Sequence, residues 1–259
     1  MKGMRAVGAV CLGYALVGCS PKDTSVGSAA ADFLSADPYS KLQIEYDSVE
    51  GRKLDPRARD VVLATLDAMV DKPGGTAIDT TETLEDGDDP SWNLESLRAY
   101  EAEHRSYHTE GDTIALYVLI VDGHFHSDTA SSVRLAMAYG PTSMVVFADT
   151  VNTNCNAVVA FETDPAIIEG FCPGMQAASL LHELGHLMGL VNVGTEMVSD
   201  HADEEHRGHD SNPGCLMHWS NEQATVADFI YQYVEDGTEG VEFFDQACQA
   251  DLEAARNQE

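Results

Sequence analysis

Residues 181–194 read LHELGHLMGLVNVG. His182 and His186 stand four apart, so on a helix both imidazoles leave the same side one turn apart, an arrangement able to grip one zinc ion. Glu183, beside the first histidine, is placed to take a proton from a metal-bound water. Ala177, Leu180, Leu184 and Leu187 form one apolar stripe, which predicts a helix over about 174–188 with both histidines off that stripe. Leu181 and Met188 add to the character of a buried helix, where unliganded histidines and a glutamate would be costly. Gly189 is a natural helix stop that lets the chain turn sharply. Two histidines hold an ion only loosely, and Asn192, with its amide, is a poor third zinc ligand.

The whole chain bounds the rest. With 259 residues, 44% of them hydrophobic, it can bury a sizeable core in one unit. Lys2 and Arg5 precede a short apolar run, 6–17, too short to span a bilayer. That run ends LVGC at 16–19, which resembles the lipobox of bacterial lipoproteins. The expectation is a signal peptide over 1–18, lipidation of Cys19, a flexible tether over 19–37 and one domain over 38–259. Ser20 after the cysteine resembles the pattern sorted to an outer membrane, so an extracytoplasmic protein anchored to the membrane by lipid is expected. The formal net charge is −30, and export would remove two basic residues and no acidic one. Nucleic acid is excluded as a partner of the globular part, and basic peptides would be drawn in more readily than acidic ones. Cys155, Cys172, Cys215 and Cys248 remain, an even count that favours disulfides in an oxidising compartment, with three pairings open.

Along the chain, 41–49 alternates Leu42, Ile44 and Tyr46 and reads as a strand. Asp55 and Pro56 open a helix that stops at Pro73 and Gly74. An acidic surface loop, 80–91, precedes a helix over 92–104. The run 113–121 is almost wholly apolar and reads as a central strand, followed by shorter strands at 133–139 and 143–148. Two helices are expected near 221–235 and 241–256. His124 and His126 fit a turn at the sheet edge, and His104 and His108 have helical spacing without further support. Together these elements predict a single α+β domain.

HELGHLMG, followed by CLMHW at 215–219, resembles the metzincin-type zinc peptidases, in which a later turn carries a methionine beneath the metal; Met217 stands at that place. The usual third histidine is replaced by Asn192. A narrower resemblance, to the archaemetzincins, runs through HDSNPGCLM at 209–217 and FDQACQADL at 244–252, as though 192–208 had been inserted. It implies a zincin-like α+β fold, with a mixed twisted sheet, an active-site helix and additional C-terminal helices. It also implies zinc as cofactor, His182, His186 and His209 as ligands, Glu183 as general base, and a peptide or protein substrate. The inserted residues supply rival third ligands, His201 first, then His206 and Asp203. A gluzincin-type ligand from Glu196, Glu204 or Glu205 is opposed by Gly189 and the methionine turn. His218 directly follows Met217 and could support a ligand. In the strand 143–148, the resemblance implies a backbone able to pair with an extended substrate.

The archaemetzincin structural zinc uses four cysteines, and here Asp210 and Asp245 take two of the places. In an exported protein the resemblance then implies a Cys215–Cys248 disulfide, with Cys155 and Cys172 as the other pair. The alternative function, motivated by Asn192 and the missing cysteines, is a zinc-binding surface lipoprotein without proteolysis.

Overall fold

In the computed structural model, the described residues are 23–80, 83–85, 91–129, 132–223, 225–236 and 240–257. The expected signal segment and Cys19 lie outside them. In chain order the elements are α1 (Ala30–Leu34), β1 (Lys41–Val49), α2 (Pro56–Met69), β2 (Thr76–Asp79), β3 (Thr83–Leu84), β4 (Ser91–Trp92), α3 (Leu94–His104), β5 (Thr113–Val121), β6 (His124–Phe125), β7 (Ala136–Gly140), β8 (Ser143–Phe147), α4 (Ala148–Val159), α5 (Pro165–Leu187), α6 (Val226–Asp236) and α7 (Gln246–Arg256). Short 3-10 turns at Trp219–Glu222 and Gly240–Phe243 flank α6.

β5 is apolar at both parities because it is covered on both faces. Ile114, Leu116, Val118 and Ile120 point into the core beneath α2 and α5, whereas Tyr117, Leu119 and Val121 join a second cluster with Leu97, Trp92 and Phe147. The sheet order is β2-β1-β5-β8-β7, with β3 also paired to β1. All pairings are parallel except β7 with β8, so the fold is α+β with a mixed sheet. β7 is one edge of this order and β2 the other. Residues 143–147, expected to face a substrate, are instead paired on both sides, by β5 and β7.

α5 begins at Asp164, whose side chain accepts from the Ala166 N–H at 2.8 Å, and so extends well upstream of the expected start near 174. Pro173 lies inside it. Proline cannot donate to the carbonyl four residues earlier, and that carbonyl, on Glu169, accepts instead from Arg57 Nη1 at 3.0 Å. A residue of α2 thus makes the interior proline tolerable. The disulfide Cys155–Cys172 ties α4 to α5. The C-terminal helices start later than expected, since Asn221 and Glu222 belong to the 3-10 turn and Asp245 caps α7.

The expected tether is corrected over 23–37. Phe33 and Leu34 are buried in the core, and Lys72 Nζ donates to the carbonyls of Asp32 (2.8 Å), Tyr39 (2.6 Å) and Ser35. A small, polar composition concealed two large apolar side chains and an ammonium clamp from a distant loop. Among the described residues no helix is long and apolar enough to cross a membrane.

Candidate metal centre

The last turns of α5 bury His182 and Glu183 and leave His186 at the wall of a cleft. The helix stops where Gly189 adopts φ +72°, its carbonyl accepting from the N–H groups of Val193, Gly194 and Thr195. Val191 and Asn192 follow with φ 53° and 60°. Asn192 is exposed, so a left-handed turn residue occupies the position of the usual third histidine. The following residues then loop out and return at Gly208, which precedes His209 in the cleft wall.

The rings of His182, His186 and His209 form a near-equilateral triangle, with centroids 4.9, 5.0 and 5.4 Å apart. Nδ1 of His182 lies 2.7 Å from the Leu216 carbonyl. A carbonyl only accepts, so Nδ1 carries the proton, and in the neutral ring Nε2 presents a lone pair. That Nε2 is buried without a hydrogen-bond partner, as is Nδ1 of His209. A zinc ion would satisfy the His182 nitrogen, so this donor set fits the metal.

Beneath the rings, Met217 packs against Gly185. A methyl group at 185 would collide with the Met217 sulfur and approach Phe244 Cε1 to 3.3 Å, which explains why the middle of the motif carries glycine. The methionine turn is bound to His209's neighbour, for the Asp210 N–H donates to the Met217 carbonyl at 2.8 Å.

Glu222 was not singled out from the sequence. Its Oε1 lies 2.8 Å from His209 Nε2, 3.3 Å from His186 Nε2 and 3.6 Å from His182 Nε2. One donor atom from each of these four residues falls within 4.8 Å of the others. Two anchors hold Glu222 there: the Leu135 N–H donates to its carbonyl at 3.3 Å, and Asn221 Nδ2 donates to the Cys215 and Leu216 carbonyls. Burial works against the Glu222 charge, but the three histidines outweigh it and hold the carboxyl below the usual range. Burial pushes the His186 imidazole down to about 4, so its ring is neutral and able to donate a lone pair.

Glu183 faces the cleft next to this cluster, and its Oε2 accepts from the Ala138 N–H of β7 at 2.6 Å. Burial drives its carboxyl up to about 7. A carboxylate so poised can accept a proton from a water and later return it.

His201 is not part of this cluster. Its Nδ1 and Nε2 lie 2.6 and 2.8 Å from Asp210 and Asp251, which occupies both ring nitrogens. The alternative assignment of His201 as third ligand is therefore corrected. His206 stacks on Trp219 and pairs with Asp203, and His218 Nδ1 contacts Ser220 Oγ at 2.8 Å. His124, in β6, and His126, which follows it, are exposed.

Asp210, Asp245 and Cys248 meet with His201 in a second group, beside Cys215. The expected Cys215–Cys248 disulfide is also corrected, since these are free thiols with sulfurs 3.6 Å apart. Both are fully buried, and the hydrogen-bonded Asp210–His201–Asp251 triad fills the adjacent space. The Cys155–Cys172 bond is present as expected.

No protein-family model matches the chain, and no curated protein does. Two solved structures are similar to it. One is a zinc-dependent peptidase from Methanocorpusculum labreanum, at 17% identity and a TM-score of 0.49, covering 82% of this chain and 99% of that one. The other is archaemetzincin from Methanopyrus kandleri, at 14% identity and a TM-score of 0.48, covering 83% and 96%.

Proposed function

We propose that this chain is a zinc-dependent endopeptidase in which His182, His186 and His209 hold the ion and Glu183 is the general base. The observation that carries this reading is the convergence of three imidazoles, two from α5 and one from the turn after Gly208, around a His182 Nε2 that has no hydrogen-bond partner. Bound zinc would polarise a carbonyl and acidify a water molecule. Glu183 would receive the proton, its orientation kept by the Ala138 N–H. The outer edge of β7, which pairs with no further strand among the described residues and whose Ala138 N–H holds Glu183, lies beside the cleft and suits pairing with an extended peptide.

Metal analysis tests the ligand set. About one zinc ion per folded chain is expected, retained after His201→Ala and lost after His209→Ala. Zinc retained in the His209 variant would overturn the assignment.

A second reading is favoured by Glu222. Four protein donors make a closed site of the structural kind, whereas a catalytic zinc keeps one position open. Such a protein would be a zinc-binding module without proteolysis. Glu222→Ala separates the two when chelator-driven zinc loss and peptide turnover are followed together. Under the peptidase reading three histidines suffice, and the variant cleaves at least as fast as its parent. Under the closed-site reading neither protein cleaves, and the variant releases zinc faster.

The LVGC sequence supports a further part of the proposal, attachment through lipidated Cys19 to a membrane outside the cytoplasm, with an outer membrane as the destination. Cys19→Ala is then expected to shift the protein from the membrane fraction to the soluble one. An unchanged distribution would refute the anchor.

A further inference from the structure

The cleft beside the histidine cluster has a volume of about 430 Å³, and its walls include Arg134 and Arg207. In a chain with 14 basic residues and a net charge of −30, two guanidiniums in one cleft match the two carboxylates of its lining, Glu183 and Glu222, so the cleft lacks the acidic excess of the chain as a whole. The acidic groups there are already engaged: Glu222 with the histidines, Glu183 with the Ala138 N–H. Neither arginine forms an ion pair among the described residues. Arg134 is held over the Phe125 ring, 4.7 Å from its centroid, and Nη1 donates to Ser127 Oγ at 3.2 Å. Asp128, the nearby carboxylate, accepts the Arg134 backbone N–H at 3.2 Å. Arg207 is exposed and has no side-chain partner among the described residues.

Both side chains stand on backbone tied to the metal centre. Arg134 bridges to Gln223 and precedes Leu135, whose N–H binds the Glu222 carbonyl. Arg207 precedes Gly208, where φ is +84° and an added Cβ would lie 3.0 Å from Val193 Cγ2 and 3.9 Å from His186 Cε1. The strand that enters β7 thus places Arg134 at the cleft, and the turn that delivers His209 places the Arg207 backbone there.

We infer that Arg134 and Arg207 make this cleft selective for peptides carrying an acidic side chain near the scissile bond. The inference rests on the peptidase reading and names its substrate class. It also reverses the preference for basic peptides that net charge alone implies. Screening limits the reach of the scattered surface carboxylates to about 8 Å at physiological ionic strength. A substrate carboxylate inside the cleft meets a guanidinium directly, through two parallel hydrogen bonds where the geometry allows.

The test uses the full-length, zinc-loaded protein and three peptide sets that differ only in Glu, Gln or Lys at the positions flanking the cleavable bond. Glu peptides are expected to exceed Gln peptides about tenfold or more in kcat/KM, the scale of a hydrogen bond to a charged group. Lys peptides should rank last. The Glu-to-Gln ratio should fall towards one in the double variant Arg134→Gln, Arg207→Gln, with partial recovery in Arg134→Lys. In parallel, Glu183→Ala protein is titrated with the same labelled peptides and binding is read by fluorescence anisotropy. The same ranking in binding, with no peptide cleaved by the parent, would uphold the acidic preference and refute the peptidase reading. Cleavage without charge preference, a preference unaltered in the double variant, or no binding of any peptide would overturn the inference.

Discussion

Glu183→Ala is expected to retain its zinc and to lose peptide cleavage by about 10²- to 10⁴-fold, the usual contribution of a positioned acid–base group. The ion stays because Glu183 is not among the four residues whose donor atoms converge. Turnover falls because this carboxylate is the one aimed into the cleft from the metal-binding helix, with its proton affinity raised by burial to the neutral range. Glu183→Gln sharpens the comparison, since its amide oxygen can keep the Ala138 hydrogen bond but cannot take a proton. Equal losses in the two variants assign the effect to proton transfer. Undiminished turnover in either, measured on zinc-loaded protein, would remove the general base from the proposal.

His201→Ala should cost about 3–5 kcal/mol, because it leaves buried carboxylates without their cation. Asp210 and Asp251 are both 0% exposed, and His201 is the group that bonds to each. For a domain of this size the melting temperature should fall on the order of 10 °C. A drop of less than about 2 °C would show that the triad is not coupled to folding as argued. A pH dependence accompanies it. Burial pulls the His201 imidazole down, but its hydrogen bonds to the Asp251 and Asp210 carboxylates outweigh it and raise its pKa above the ordinary value. The folded state therefore binds the proton more tightly, and the stabilisation is complete below the unfolded value of about 6.5. It is lost as pH climbs through the higher folded value. Urea unfolding of the parent and of His201→Gln should give a stability difference that shrinks with rising pH. A difference constant across that range would contradict a charged histidine.

How much of this was legible depends on the distance over which each feature is determined. HELGH carried its own geometry, since helical spacing sets two imidazoles on one side whatever else the chain does. β5 announced a strand covered on both faces through an uninterrupted apolar run, and Asp55 with Pro56 marked the start of α2 within two residues. His209 needed more, because 192–208 separates it from the glycine stop, and only the Cys215 and Met217 spacing pointed to it. Even so, His201 could not be dismissed until both of its nitrogens were seen bonded to aspartates.

Other features left no local trace. Glu222 lies 13 residues beyond His209, in a 3-10 turn held by Asn221 and Leu135. The helix expected from about 174 starts at Pro165, and its interior Pro173 is accommodated by Arg57, which comes from another helix. Residues 23–37 looked like a tether because burial of Phe33 and Leu34 depends on the core beneath them. The sequence by itself determined the paired histidines, the neighbouring base, the buried central strand and the α+β class, all properties of periodicity within a few residues. Tertiary structure alone decided that Glu222 joins the histidines, that His201 bridges two aspartates, that β7 is the edge strand beside the cleft and that two arginines face the cleft. Those outcomes depend on which distant segments pack together, and burial and charge pairing are settled only once they have done so.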